Sequence, residues 1–475
     1  MDTNLEELYK DKEAEESYRD HLSTVDEAGK RIWLYPKKPK GNFTSYRALV
    51  SVILLFILMV GPFITIGGEP LLLFNIFERK FIIFGQIFWP QDFFLAVIGM
   101  LTTVVFVILF TVVFGRIFCG WICPQTIFME FVFRKVEYWI EGDYMAQKKL
   151  DRLPWNREKL LKKGAKHLVF LFVSLLIMHT FVAYLIGVDE TRAMIQAGPS
   201  EELTGFISMV VLTGLFYGVF SQMREQVCTT ICPYGRLQGV LLDKQSVVVA
   251  YDHVRGESRG KFRKGEDREE LGKGDCIDCK QCVYVCPTGI DIRNGTQLEC
   301  INCTACIDAC DSIMDHIGKP KGLVRYASEE NIVEKLKFRF TARMKAYTAV
   351  LLVLISVLVS LLIIRTDFDV TVLRTPGMLY QEREDGRISN LYQIKLVNKT
   401  NEDLNITFRL LAPKGELQMV GNDLVLEKQG MGEGALFVII DPSDLTKMSS
   451  EIEVGVYSGD KLIETVETKF LGPAI

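Results

Sequence analysis

Apolar residues fall along the chain in five long blocks separated by charged stretches, and beyond residue 365 they break into short alternating runs. Crossing about 30 Å of hydrocarbon takes roughly 20 mostly apolar helical residues. Residues 48–67, 93–115, 167–187, 204–221 and 346–364 meet that requirement, which predicts a five-helix transmembrane bundle. A charged segment precedes the first block and no small-residue cleavage pattern follows it, so this block reads as a retained anchor rather than a signal. After the fifth block, residues 392–397, 405–411, 435–440 and 451–457 are β-branched or alternating and are separated by Asn, Gly, Asp and Pro. They predict a C-terminal all-β sandwich.

The 475 residues are 49% hydrophobic, with a formal charge of -4 that gives no overall field for nucleic acid. Local charge is more informative. Lys30, Arg31, Lys37, Lys38, Lys40 and Arg47 precede the first block, and Lys148, Lys149, Arg152, Arg157, Lys159, Lys162, Lys163 and Lys166 precede the third. Only Arg79 and Lys80 lie between blocks one and two, and Asp189, Glu190, Glu201 and Glu202 outweigh Arg192 between three and four. Basic loops stay inside. The expected order is a cytoplasmic segment 1–47, four spans within 48–235, a cytoplasmic module at 236–345, a fifth span at 346–364 and an outer β domain at 365–475.

All 12 cysteines lie between Cys119 and Cys310. Cys276, Cys279, Cys282 and Cys286 follow C-x2-C-x2-C-x3-C before Pro287, and Cys300, Cys303, Cys306 and Cys310 repeat it. This is the spacing of a bacterial two-cluster ferredoxin, in which each run lends its fourth thiolate to the other cluster. The expected ligand sets for two [4Fe-4S] clusters are therefore Cys276, Cys279, Cys282 and Cys310, and Cys300, Cys303, Cys306 and Cys286. Structural zinc has no use for the third cysteine of such a run, and a cytoplasmic position disfavours disulfides. Asp311 stands where the generic run has proline and removes no ligand.

The remaining four cysteines form a second repeat, C-x3-C-P, at Cys119/Cys123 before Pro124 and at Cys228/Cys232 before Pro233. Each pair ends an even-numbered span, so the first two spans look duplicated in the next two. A residue before proline avoids the α region, which places the thiols at the membrane edge beside the ferredoxin module. Their softness suits copper(I), and thiol pairs also cycle as disulfides; spacing leaves both open, with plain packing as the third reading. His179 falls inside the third span, where a titratable residue is a candidate metal, haem or quinone ligand or a helix-to-helix hydrogen bond. His21, His167, His253 and His316 read as solvated or loop residues.

With these pieces in place the chain resembles the cytochrome c oxidase accessory proteins of the CcoG/FixG type. The resemblance rests on the five spans, the two C-x3-C-P pairs, the double ferredoxin run, and the stretches 251–260 (YDHVRGESRG) and 310–326 (CDSIMDHIGKPKGLVRY), which include Asp311. It implies an immunoglobulin-like outer domain, residence in a bacterial inner membrane, and reduction of copper(II) to copper(I) during maturation of a cbb-type oxidase. The implied partners are membrane lipid, a cytoplasmic electron donor, a copper transporter or chaperone, and oxidase assembly partners, with no nucleic acid. A quinol-linked membrane ferredoxin and a redox-sensing assembly scaffold are the competing expectations.

Overall fold

The structure, a computed structural model, describes residues 24–473 apart from 27, 78–79, 90–91, 264–265, 269, 367, 378, 401, 422–423, 429 and 446. His21 and Arg79 lie outside the described residues. The chain forms two compact units, the first running to Leu358 and the second from Val359, with two short loop pieces of the earlier chain, Gly67–Glu69 and Gly85–Trp89, belonging to the second. The bundle and the cysteine-rich segment, assigned separate domains on sequence, pack as one unit.

Among the described residues, five helices are long and apolar enough to cross a bilayer: Asn42–Val60, Phe93–Phe114, Arg157–Ile186, Leu203–Gly218 with its π-helical extension Val219–Met223, and Ala342–Ile364. In the first, second and fifth, only 11%, 11% and 6% of the apolar window is covered by protein, which leaves those faces for lipid. The ends differ from expectation where tertiary contacts decide them. The first helix stops at Val60, before Gly61 and Pro62 enter a 3-10 turn. It starts early, at Asn42, because the Asp308 carboxylate accepts hydrogen bonds from the Phe43 and Thr44 amides at 3.1 and 2.7 Å and from the Thr44 hydroxyl at 2.7 Å. The third begins ten residues before expectation, where Asn156 accepts from the Lys159 amide and Glu158 sits in the first turn, so the basic run is itself helical. The connections are also more ordered than loops: Leu72–Asn75 pairs antiparallel with Lys80–Ile83, and Val188–Glu201 is a helix kinked at Gly198.

Within the first unit, Val248–Tyr251 pairs antiparallel with Val324–Ala327, bracketing both cysteine runs. The helices Gln281–Tyr284 and Ala305–His316 follow within the runs. Val249, Tyr251, Ile290, Ile292, Ile307, Met314, Leu323 and Val324 form the core on which the cysteines sit.

The second unit is a sandwich of two antiparallel sheets. One orders Gly415–Val420, Met431–Ile440, Ile388–Asn398 and Phe368–Arg374; the other orders Leu424–Leu426, Leu404–Ala412, Ser449–Ser458 and Lys461–Leu471. Alternate residues point inward, so Tyr392, Leu436, Val438, Ile452, Val454, Val456 and Phe470 are wholly buried between the sheets. The Tyr392 hydroxyl donates to the Lys469 carbonyl at 2.9 Å, satisfying the polar end of a core ring.

Candidate functional site

The two cysteine runs share one backbone trick. Asp278 and Lys280 flank Cys279 with φ of 51° and 56°, and Asn302 and Thr304 flank Cys303 with φ of 52° and 62°. Left-handed conformation is tolerated by Asp278 and Asn302 but unfavourable for Lys280 and most of all for β-branched Thr304. It recurs at equivalent places because it turns a short loop around a common centre before the next helix starts, with Lys280 and Thr304 at the two N-caps. Successive amides in such loops point inward and favour negative charge.

One cavity is lined by Cys276, Cys279, Cys282 and Cys310 together with Tyr251, Arg293 and Met314. The other is lined by Cys286, Cys300, Cys303 and Cys306, with Cys282 forming a shared wall. The last cysteine of each run thus stands with the first three of the other. Burial pushes the Cys282 and Cys300 thiols up to about 12 and Cys303 to about 11, and raises Cys286, Cys306 and Cys310 as well. Against burial, backbone amides of Thr288, Gly289 and Ile290 point at Cys286, and those of Asn302 and Ala305 at Cys300 and Cys303. Donors aimed at buried sulfur favour thiolate. Among the described residues, no three Cys, His, Asp or Glu side chains converge tightly enough for a single ion. Thiols spread around a cavity suit a multi-iron group and not one zinc.

The membrane-edge cysteines come from two helix junctions. Cys119 lies in the short helix Ile117–Trp121 and Cys228 in the π-helical turn Val227–Ile231, while Cys123 and Cys232 turn extended, with ψ of 124° and 115°, to cap the helices Pro124–Ile127 and Pro233–Leu241. Proline at the first helical position needs no amide donor, so each C-x3-C-P ends one helix and starts another. Cys119 and Cys228, each 7% exposed, share one buried cluster with Val285, Ile301, Cys303 and Ala305 of the cysteine runs; Cys123 and Cys232 are half-buried. Burial raises the Cys119 and Cys228 thiols to about 11 and 12, and both feel the charges of Cys123 and Cys232, which places all four in one neighbourhood.

Gly120 explains how close this approach is, since a Cβ there would meet the Ile301 and Asn302 carbonyl oxygens at 2.6 and 2.7 Å. Trp121 Nε1 donates to the Tyr326 hydroxyl at 3.0 Å, and that hydroxyl donates to the Asn302 carbonyl at 3.3 Å. The three cysteine groups therefore stand in series, the first cavity sharing Cys282 with the second and the second reaching the membrane edge through Cys303.

His179 is elsewhere, in the third long helix, with Nδ1 2.8 Å from the Leu175 carbonyl one turn back. His167, expected in solvent or loop, is helical and 2.8 Å from the Tyr217 hydroxyl of the fourth helix, between Phe170 and Tyr217 rings. His253 and His316 lie in helical turns and face solvent. Sequence reasoning passed over Arg47, Arg116 and Asp308. An arginine directly after an apolar span and just before a cysteine pair was the available signal for Arg116.

Comparison with known proteins agrees with this architecture. A 4Fe-4S dicluster domain matches residues 223–329, a 4Fe-4S binding domain matches 96–144, and an Ig-like fold at the C-terminus of FixG matches 358–473. Protein RdxB of Cereibacter sphaeroides is 36% identical over 387 residues, 78% of this chain and 80% of its own. The nitrogen fixation protein FixG of Rhizobium meliloti is 31% identical over 459 residues, 88% of this chain and 86% of its own. The crystal structure of a FixG-related protein from Vibrio parahaemolyticus aligns with 22% of this chain and 97% of its own at 20% identity and a TM-score of 0.19. Five membrane-length helices, iron-sulfur domains and relatives aligned over most of both chains lead to one conclusion: the chain belongs to the FixG family and is a membrane iron-sulfur electron-transfer protein.

Proposed function

We propose that this chain takes electrons singly from a cytoplasmic donor and reduces copper(II) to copper(I) at the edge of a bacterial inner membrane, for assembly of a cbb-type cytochrome c oxidase. The observation that carries this reading is the single buried cluster that contains Cys119 and Cys228 together with Cys303, which links the membrane-edge thiols to the second ferredoxin run. Cys276, Cys279, Cys282 and Cys310 are the ligands of one [4Fe-4S] cluster, and Cys300, Cys303, Cys306 and Cys286 those of the other. When bound, these clusters supply one-electron redox chemistry.

The chain's own residues do the rest. The left-handed residues around Cys279 and Cys303 shape the loops, and the apolar walls at Val249, Ile290, Ile292 and Ile301 keep water from the second cavity. At the edge, Cys119, Cys123, Cys228 and Cys232 offer soft sulfur that favours copper(I) over copper(II); no three of them converge on one point, so two thiolates, enough for copper(I), are the holding unit, and gain of one electron turns the metal into the form these ligands hold best. Basic loops orient the cysteine runs toward the cytoplasm and the β sandwich toward the periplasm. Copper(I) then passes to a transporter or chaperone and on to the oxidase assembly partners.

The test is the quadruple cysteine-to-serine variant at positions 119, 123, 228 and 232, assayed for cluster absorbance and for chelator-trapped copper(I) on one preparation. Intact clusters with copper(I) production down by more than about tenfold are expected, the scale on which ligand environments set metal affinity. Wild-type production with intact clusters would remove copper from these cysteines.

One observation favours a second reading of the same four thiols. The 4Fe-4S binding domain match across residues 96–144 contains Cys119 and Cys123 as its cysteines, half of the ligands a cluster needs, and Cys228 and Cys232 are the nearby pair that completes the set. Iron analysis separates the readings: two clusters require about eight iron per chain and a third raises this to about twelve.

A further inference from the structure

Two arginines are buried at the junction of the second ferredoxin run and the membrane edge without an acid to balance them. Arg47 and Arg116 are each 2% exposed. Arg47 donates from Nε to the Gly120 carbonyl at 2.8 Å and lies 5.1 Å from the Phe131 ring centre, and its Nη2 has no hydrogen-bond partner. Arg116 donates from Nη1 to the Leu298 carbonyl at 2.6 Å and from Nη2 to the Cys228 carbonyl at 3.3 Å, and its Nε has no partner.

Most other buried bases of this unit are neutralised; Arg268 and Lys159 are the exceptions, donating to backbone carbonyls away from the membrane-edge cysteines. Arg134 pairs with Glu130 and with Glu225, Arg224 pairs with Glu137, Lys166 with Glu141 at 3.0 Å, and Arg293 with Asp278 and Asp291 at 2.5 Å each. Among the described residues, neither Arg47 nor Arg116 has such a carboxylate partner. A guanidinium taken out of water is stabilised by a nearby negative charge, and among the described residues no carboxylate supplies it to Arg47 or Arg116.

The thiols lie within reach of both charges: Arg116 opposes the rise that burial imposes on Cys119, Cys228 and Cys300, and Arg47 opposes it on Cys303. The space for Arg116 is also built, because a Cβ on Gly235 would come within 2.5 Å of its Nη2. Thiolate ligands bring negative charge, and each electron gained adds more. A fixed positive charge held close in a low-dielectric interior favours the electron-rich state.

We propose that Arg47 and Arg116 are the counter-charges of this junction, Arg47 raising the electron affinity of the group held by Cys300, Cys303, Cys306 and Cys286, and Arg116 acting mainly on the group held at the membrane-edge cysteines. An electron is thereby drawn toward the membrane edge and held there by charge that a carboxylate partner would have cancelled. This rests on the reading of the second run as cluster ligands, and iron content reports separately on that reading.

The experiment is a reductive titration of the detergent-purified full chain, followed by electron paramagnetic resonance, with iron measured on each sample, for R47Q, R47K, R116Q and R116K. R47Q is expected to move the midpoint potential of one cluster to more negative values while the other stays in place, and R47K to restore most of the shift. R116Q is expected to give a smaller shift of the same cluster and, with copper(I) supplied as the metal alone, several-fold weaker retention against a chelator; R116K restores both. Unchanged potentials in both glutamine variants at full iron content would overturn the proposal. Where a glutamine variant loses iron, its lysine counterpart decides: iron and potential near wild type support a role for charge, and loss of iron in the lysine variant as well means that shape, not charge, is what the site requires. Iron absent from the wild-type chain would instead sink the cluster reading itself.

Discussion

In the ferredoxin runs, each group of three sulfurs is placed by a single short loop whose backbone is bent at the residues on either side of its middle cysteine. At the membrane edge, four sulfurs are gathered from two helix junctions far apart in sequence, each turning extended at its second cysteine before a proline. The first arrangement is local to one loop, and the second is tertiary. The loops keep their shape through their own hydrogen bonds. The edge quartet exists only as long as the bundle packs on the ferredoxin module, with Gly120 against the Ile301–Asn302 backbone as the point of closest approach.

That contrast yields graded expectations. The largest effect belongs to Cys286→Ser. Total iron should fall from about eight to about four per chain, with the Cys276 cluster retained in the resonance spectrum; loss confined to the Cys276 cluster would break the crossed arrangement. Next comes Gly120→Ala. Its methyl would meet backbone oxygens rather than a movable side chain, so thermal unfolding in detergent should show a loss of about 1–3 kcal/mol, and unchanged stability would mean that the junction is loose.

Asn302 tests the local half of the comparison. Both Asn302→Gly and Asn302→Val remove the side-chain oxygen that accepts from the Val249 amide at 3.2 Å. Only valine must also bear the left-handed backbone, so it should be less stable than the glycine variant by about 1–2 kcal/mol. Equal stabilities would show that the bend costs nothing. A further difference is expected inside the edge pairs. Serine at buried Cys119 or Cys228 leaves a hydroxyl short of partners, worth about 1–3 kcal/mol, whereas serine at half-buried Cys123 or Cys232 should stay within about 0.5 kcal/mol. A uniform response across the four would erase the inside and outside roles.

The same division explains what could be read from the sequence. Five apolar blocks and alternating strands such as 392–397 and 435–440 are signals carried by neighbouring residues, and they correspond to helices and strands in the structure, with ends displaced by up to ten residues. The ferredoxin runs are legible for the same reason, since three of the four sulfurs around each cavity come from one loop. The extra strands Phe368–Arg374, Gly415–Val420 and Lys461–Leu471 pair with the clear ones. His167 reads as a flanking residue because Tyr217, which gives it a role, comes 50 residues later. Arg47 reads as one more basic residue before a span, and nothing in its neighbours tells that it is buried beside Cys303 without an acid.

The cap of the first long helix has a consequence for how the chain is made. Its carboxylate, Asp308, lies between Cys306 and Cys310 and is synthesised 264 residues after Thr44. At about 5–20 residues per second, the amides at the head of that helix wait roughly 13–50 s on the ribosome before their acceptor exists. Asp308 reaches them only when the helix Ala305–His316 has formed behind its cysteine loop. The earliest membrane helix is thus capped by the latest cysteine motif, and a chain made without iron is expected to be cleaved faster near Asn42 in limited proteolysis than one made with it.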